Sequence, residues 1–293
     1  YDPILNEYVR DEYGAFIANT ILVGRYKSGK NMNSLSRISY DLSNSKLTFL
    51  KFLKYRFTLN ADYHGSDSNI FYGLNNRTAQ LFIFNNRNEI IYQKSTSSAR
   101  LRFSIESRIN YNGMDLRGWQ DKRSDIFRID SQIPLIKDYF IKYDLNLHRF
   151  SLSAGNNYTL ARNVAGYYHE LGLKKASLKN FQYEVKAVYY IDNASSTLFR
   201  RNVSALGLKG DFVKFLNNNG RIDCRIDFFD ANGFDGMPAE ALKGISSDKT
   251  IRANLSSSVM IDRSLSINTS IIYTDSERYS GFFQIVGELR AYF

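Results

Sequence analysis

The chain is poor in the residues that build disulfide scaffolds, metal centres and membrane-crossing helices. It has one cysteine and three histidines in 293 residues, so no intrachain disulfide can form. Cys224 shares the apolar side of its alternating stretch with Ile222, Ile226 and Phe228 and is expected to act as a small hydrophobe. Only three prolines are present, Pro3, Pro134 and Pro238, which leaves long stretches able to donate every backbone N–H to a sheet. A helix that crosses a bilayer needs about 20 consecutive apolar residues, and no such run exists. That excludes a helical membrane protein and nothing more, because strands that cross a bilayer hide their apolar half in alternation. Gly-rich phosphate cradles, Cys-x-x-Cys pairs and His-Glu-x-x-His are also missing, and neither a cofactor nor a metal ion is expected. The chain starts at Tyr1 with no visible secretory signal and is read as a processed mature form or a piece of something longer.

What is abundant is aromatic and alternating. Tyr and Phe number 21 each, and hydrophobic residues make up 43%, yet mean hydropathy is −0.37. Residues 99–112 show how both can hold. Leu101, Phe103, Ile105, Ile109 and Tyr111 fall on one side, with Ser107, while Arg100, Arg102, Ser104, Glu106, Arg108 and Asn110 fall on the other. Period two is the signature of a strand with one apolar and one polar face. The same pattern recurs at 55–64, 139–153, 181–192 and 221–230, and the chain closes on it at 279–293.

Lysine and arginine total 39 against 29 aspartate and glutamate, a formal charge of +10. The cations are scattered along strand faces and turns with acids between them. A nucleic-acid surface would concentrate them, so nucleic acid is not expected as a partner.

Connections sort by parity. Counting back from the C-terminus, the turns near Asp262, Asn217, Ser177, Pro134 and Gln93 are short and fall on one side, with a somewhat longer connection near Asn44 that could hold a short interfacial helix or extended strand ends. The tips near Ala231, Asn193, Ala154, Gly65 and Tyr26 fall on the other and are mostly longer, while those near Gly113 and Asp275 on that side are short. Pro134 is expected to stop its strand by denying it a ladder donor. About fourteen strands result, beginning with residues 13–25. Membrane barrels pair short periplasmic turns with longer outer loops and have even strand numbers. The fold class expected is therefore all-β, a transmembrane antiparallel up-and-down β-barrel over 13–293 with a periplasmic lead-in at 1–12.

The opening Tyr-Asp-Pro-x5-Val-Arg-Asp-x-Tyr-Gly, the run of hairpins and the ending Glu-Leu-Arg-Ala-Tyr-Phe resemble the C-terminal parts of large outer-membrane proteins of the Bacteroidota type. The resemblance implies a bacterial outer membrane location, with outer-membrane lipid and other envelope proteins as partners.

In hydrocarbon, the face that carries charges must point inward. The expected lumen residues are Arg100, Arg102, Glu106, Arg108, Asp144, Glu184, Arg221, Asp223, Arg225, Asp227, Arg252, Glu288 and Arg290, with Arg123, Arg128 and Asp130. They would favour anions or a polar solute, or else form compensating ion pairs that hold the barrel's shape. Tyr63, Tyr111, Tyr139, Tyr167, Tyr279 and Phe293 are expected in aromatic girdles. His64 and His148 should point inward and His169 outward near a rim. Ser151 or Ser153 beside His148 imitates a barrel hydrolase, and 230–236 imitates a calcium loop whose fifth position, Phe234, cannot ligate; a surface turn is the expectation, and no catalytic residues are assigned. The function expected is a channel, transport conduit or structural subunit of an envelope complex. The competing expectation is a soluble secreted β-sandwich, an adhesin or carbohydrate-binding module, whose strands alternate as well.

Overall fold

A computed structural model of the chain describes residues 29–66, 79–95, 99–114, 118–155, 161–176, 181–216, 219–234, 237–245, 248–262, 265–276 and 279–291. Among these, thirteen strands form one sheet in sequence order, every neighbour antiparallel. They are β1 Lys30–Asp41, β2 Leu53–Gly65, β3 Ala79–Gln93, β4 Arg100–Asn112, β5 Gln120–Ile136, β6 Tyr139–Ala154, β7 Arg162–Ala176, β8 Phe181–Ser196, β9 Arg200–Leu216, β10 Gly220–Asn232, β11 Asp248–Asp262, β12 Leu265–Ser276 and β13 Tyr279–Ala291. The sheet has two edges, β1 and β13, and residues 281–291 are exposed throughout. The expected first strand, 13–25, lies outside the described residues, as do the lead-in 1–12 and Phe293.

The alternation read from the sequence becomes two faces because register carries it from strand to strand. Ile105, Phe127, Leu147, Tyr167 and Ile191 stand in one row across β4 to β8. The row beyond it, towards the longer loops, is Ser107, Asp125, Arg149, Ala165, Asn193 and Asn202. The outer face thus has an apolar band that ends on a polar border. On β8 the band runs from Phe181 to Ile191, about 33 Å of strand at roughly 3.3 Å per residue. Within it Leu171, Leu206, Leu208 and Ile226 are exposed.

The single sheet overturns the sandwich expectation. A sandwich needs a second sheet to cover the apolar side chains, and all thirteen described strands belong to one.

One local expectation also changes. Pro134 does not end β5, which continues to Ile136 with a register shift at that point. Its missing donor is tolerated because β4 has already stopped opposite Gln132, so β5 is an edge there. The connection after β1 holds a short helical element, the 3-10 turn Leu50–Phe52, followed directly by β2 from Leu53.

The largest buried cluster lies on the other, inner face. Val164, Tyr168, Val188, Tyr190, Val203, Ala205 and Phe229 meet Ala241, Leu242 and Ile245, which belong to the long loop between β10 and β11. A smaller aromatic cluster, Tyr63, Phe82 and Tyr111, occupies the outer side of β2 to β4 near their loop ends.

Candidate functional site

The inner face of β6 to β9 is a lattice of ion pairs. Glu170 on β7 is 8% exposed and accepts hydrogen bonds from Tyr190 Oη at 2.6 Å, Lys209 Nζ at 3.1 Å, Lys186 Nζ at 3.3 Å and Lys243 Nζ at 2.7 Å. Lys186 also reaches Asp144 at 3.0 Å and Glu184 at 2.9 Å, and Lys142 reaches Glu184 at 2.9 Å. An ammonium this far from bulk water is tolerated only when carboxylates surround it.

Two glycines on β7 make the lattice possible. Gly172 lies between Lys142 and Lys186 in its row, and Gly166 lies between His148 and Asp192. A Cβ on Gly166 would run into the Ile191 carbonyl and the Asp192 carboxylate. With both positions bare, side chains of β6 and β8 meet across the strand that separates them.

Above this lattice sits the loop after β10. Its 3-10 turn, Ala241–Gly244, carries Leu242 and Lys243 at positive φ, 51° and 56°. A non-glycine residue in that region costs about 1–3 kcal/mol. Tertiary contacts offset the strain. Leu242 is fully buried, a gain of about 1.5–3 kcal/mol, and its N–H donates to Asp192 Oδ2 at 2.7 Å. Tyr168 Oη donates to the same oxygen at 2.8 Å. Arg162 holds Glu240 through two bonds, 2.7 and 2.9 Å, and Arg252 Nη2 donates to the Gly244 carbonyl at 2.8 Å. Burial pulls the Lys243 ammonium below the ordinary lysine range, and Glu170 opposes that shift. The turn is therefore folded against the inner face and fastened on both sides, at Glu240 and at Gly244.

On β3 to β5 compensation is thinner. Arg100 pairs with Asp130 at 2.8 Å, while Arg102 stands 3.8 Å from Asp130 and 4.0 Å from Glu89. Arg128, on the same face, has no ion pair among the described residues, and its Nε is buried without a hydrogen-bond partner.

Most of the anticipated charged residues sit on the inner face. Glu106 pairs with Arg108. Arg221 pairs with Asp223 at 2.5 Å, Arg225 with Asp227 at 3.2 Å and Arg290 with Glu288 at 2.9 Å. Asp144, Glu184 and Arg252 join the lattice and loop described above. Arg123 is a correction: it shares the outer face with Phe127 and is held by Asp121 at 2.8 Å, since residues five apart on one strand, such as Arg123 and Arg128, point to opposite faces. Glu170, Lys186, Lys209, Asp192 and Lys243 were not singled out from the sequence. Their alternation placed the strand residues inward, but nothing local marks them as partners of a distant loop.

Among the aromatic candidates, Tyr63 and Tyr111 belong to the outer cluster with Phe82. Tyr139 lies at the short-turn end, 6.5 Å from Tyr183 between ring centroids and under Lys175 at 5.5 Å. Tyr167 is inside the apolar band, one row from its border. Tyr279 opens β13, and nothing is assigned to its side chain.

The histidines do not converge. His169 faces outward, with Nδ1 2.8 Å from Tyr143 Oη. His148 faces inward, stacked on Tyr168 at 4.2 Å, with Nε2 2.9 Å from Asp192 Oδ1. The ring is not oriented for a hydrogen bond, so that contact is electrostatic only when the imidazole is protonated. Ser151 and Ser153 stand on the opposite face from His148, which removes the hydrolase-like pairing. Phe234 of the 230–236 stretch packs against Phe199 at 4.9 Å.

No protein-family model matches this chain, and no curated protein matches it. Among solved structures, the crystal structure of the transport unit of the autotransporter AIDA-I from Escherichia coli is similar at 10% identity, covering 94% of each chain with a TM-score of 0.27.

Proposed function

We propose that the chain is an outer-membrane β-barrel that serves as a polar, anion-favouring conduit, narrowed by the loop folded against its inner face. The observation that carries this reading is the division of one long meander into an exposed apolar face and an ion-paired inner face. Charged residues in a lipid-facing position cost roughly 2–4 kcal/mol each for the cations, whereas here they lie opposite the apolar band, beside the loop. Closure of the two edges, a fourteenth strand, the aromatic girdles and the Bacteroidota-type kinship belong to the same proposal, as do lipid and other envelope proteins as partners. No catalytic role is proposed.

The anion preference is supported by Arg128 and Arg102, whose positive charge is incompletely balanced. The lattice on β6 to β9 supports the narrower version, in which the interior is a braced scaffold. Recording from heat-modifiable, detergent-folded protein in a planar bilayer separates the two. Discrete conductance with a reversal potential favouring chloride supports the conduit. Silence from protein shown to be folded leaves the structural subunit of an envelope complex.

A further inference from the structure

The outer face is not uniformly covered. A groove of about 620 Å³ crosses it where the apolar band meets its polar border. Its floor is Ala165, the small residue in a row whose neighbours on either side are Arg149 and Asn193. Phe127, Leu147, Tyr167 and Ile191 wall it on the side of the band. Asn202 follows Asn193 in the same row and adds a second amide at the rim.

Arg149 is exposed and makes no ion pair among the described residues. The contrast with Arg123 is direct, for that outer-face arginine is occupied by Asp121. Asp125, the register neighbour of Arg149, also lines the groove and keeps its negative charge, but it accepts the Ser107 hydroxyl at 2.7 Å and forms no ion pair with Arg149. A free guanidinium thus stands over an apolar furrow, at the level where a bilayer's headgroups would begin. Guanidinium binds phosphate through two parallel N–H donors, and an acyl chain gains by covering exposed carbon.

We propose that this groove binds one phosphate-headed lipid, the phosphate on Arg149 with Asn193 and Asn202 beside it, and an acyl chain laid over Ala165. The site rests on the membrane reading above. A water-soluble phosphate would use the guanidinium and leave the furrow empty, so the lipid is the ligand that uses both halves.

The test is native mass spectrometry of protein folded in dodecyl maltoside, after heat-modifiable migration has shown it to be folded, with dioleoylphosphatidylglycerol and dioleoylphosphatidylcholine added in equal amounts. One phosphatidylglycerol is expected to be retained in preference to phosphatidylcholine. Arg149→Gln should weaken its retention about tenfold, the loss of one charge-assisted contact worth about 1.4 kcal/mol. Ala165→Phe should weaken retention of both lipids, and Arg123→Gln should change neither. Equal retention of the two lipids by the unaltered protein, no effect of Arg149→Gln, or displacement by millimolar inorganic phosphate would each overturn the site. A folded micellar protein that ignores phosphatidylglycerol removes the site and leaves the barrel; a chain monodisperse in plain buffer removes both.

Discussion

His148 on β6 and Asp192 on β8 approach to 2.9 Å across the whole width of β7, because Gly166 between them has no side chain. The same Asp192 carboxylate holds the Leu242 N–H. A missing methyl on one strand therefore shapes the seat of a loop from another part of the chain.

Gly166→Val should unseat that loop. Overpacking of this kind costs about 1–3 kcal/mol, and the Asp192 side chain would have to move. Trypsin cleavage after Lys243 is expected to accelerate in the folded, detergent-solubilised protein. An unchanged cleavage rate would show that Asp192 does not hold the loop.

Glu170 and Lys243 should respond unequally to loss of charge. Lys243→Met leaves Glu170 with Tyr190, Lys186 and Lys209, and should cost about 1 kcal/mol, the net value of one hydrogen bond. Glu170→Gln leaves several buried ammonium groups short of a counter-charge, for which about 3–5 kcal/mol is expected. Urea unfolding in micelles measures both. Equal losses would mean that the lattice is not centred on Glu170.

Facing is testable at adjacent residues of β11. Leu255 projects outward and is exposed, while Asn254 is exposed on the inner side, in register with Arg225. Leu255→Lys should impair insertion into lipid vesicles by about 2–4 kcal/mol if that position meets the bilayer midplane, and Asn254→Lys should do little. The pair Phe103 and Ser104 is a poorer choice, since Ser104 is buried beside Arg128 and an arginine there would fail for reasons of space. Similar behaviour of the Leu255 and Asn254 variants would reverse or abolish the assignment of faces.

Replacing residues 237–245 with a flexible Gly-Ser linker is expected to raise single-channel conductance, and Arg128→Glu to shift the reversal potential towards cations. Conductance that is insensitive to the replacement would place the loop outside the ion path.

The amino-acid order alone determined which side chains share a face, because a strand's period is local and needs no partner. It also determined the ion pairs between residues two apart on one strand, such as Arg221 with Asp223, but the parity of short and long connections only in part, because the links from Ser196 to Arg200 and from Ser276 to Tyr279 are short on the long side and the link from Asp41 to Leu53 is long on the short side. Counting along β5 is enough to place Arg123 on the face of Phe127, opposite Ile109 of β4. Tertiary structure alone decided that the loop after β10 turns inward, that Glu170 gathers lysines from β8, β9 and that loop, and that Gly166 and Gly172 open passages across β7. Those contacts join residues 16 to 73 positions apart, and they depend on register between strands that no local pattern encodes. Burial of Leu242 outweighs the backbone strain it imposes only where Tyr168, Tyr190 and Asp192 have already been brought together.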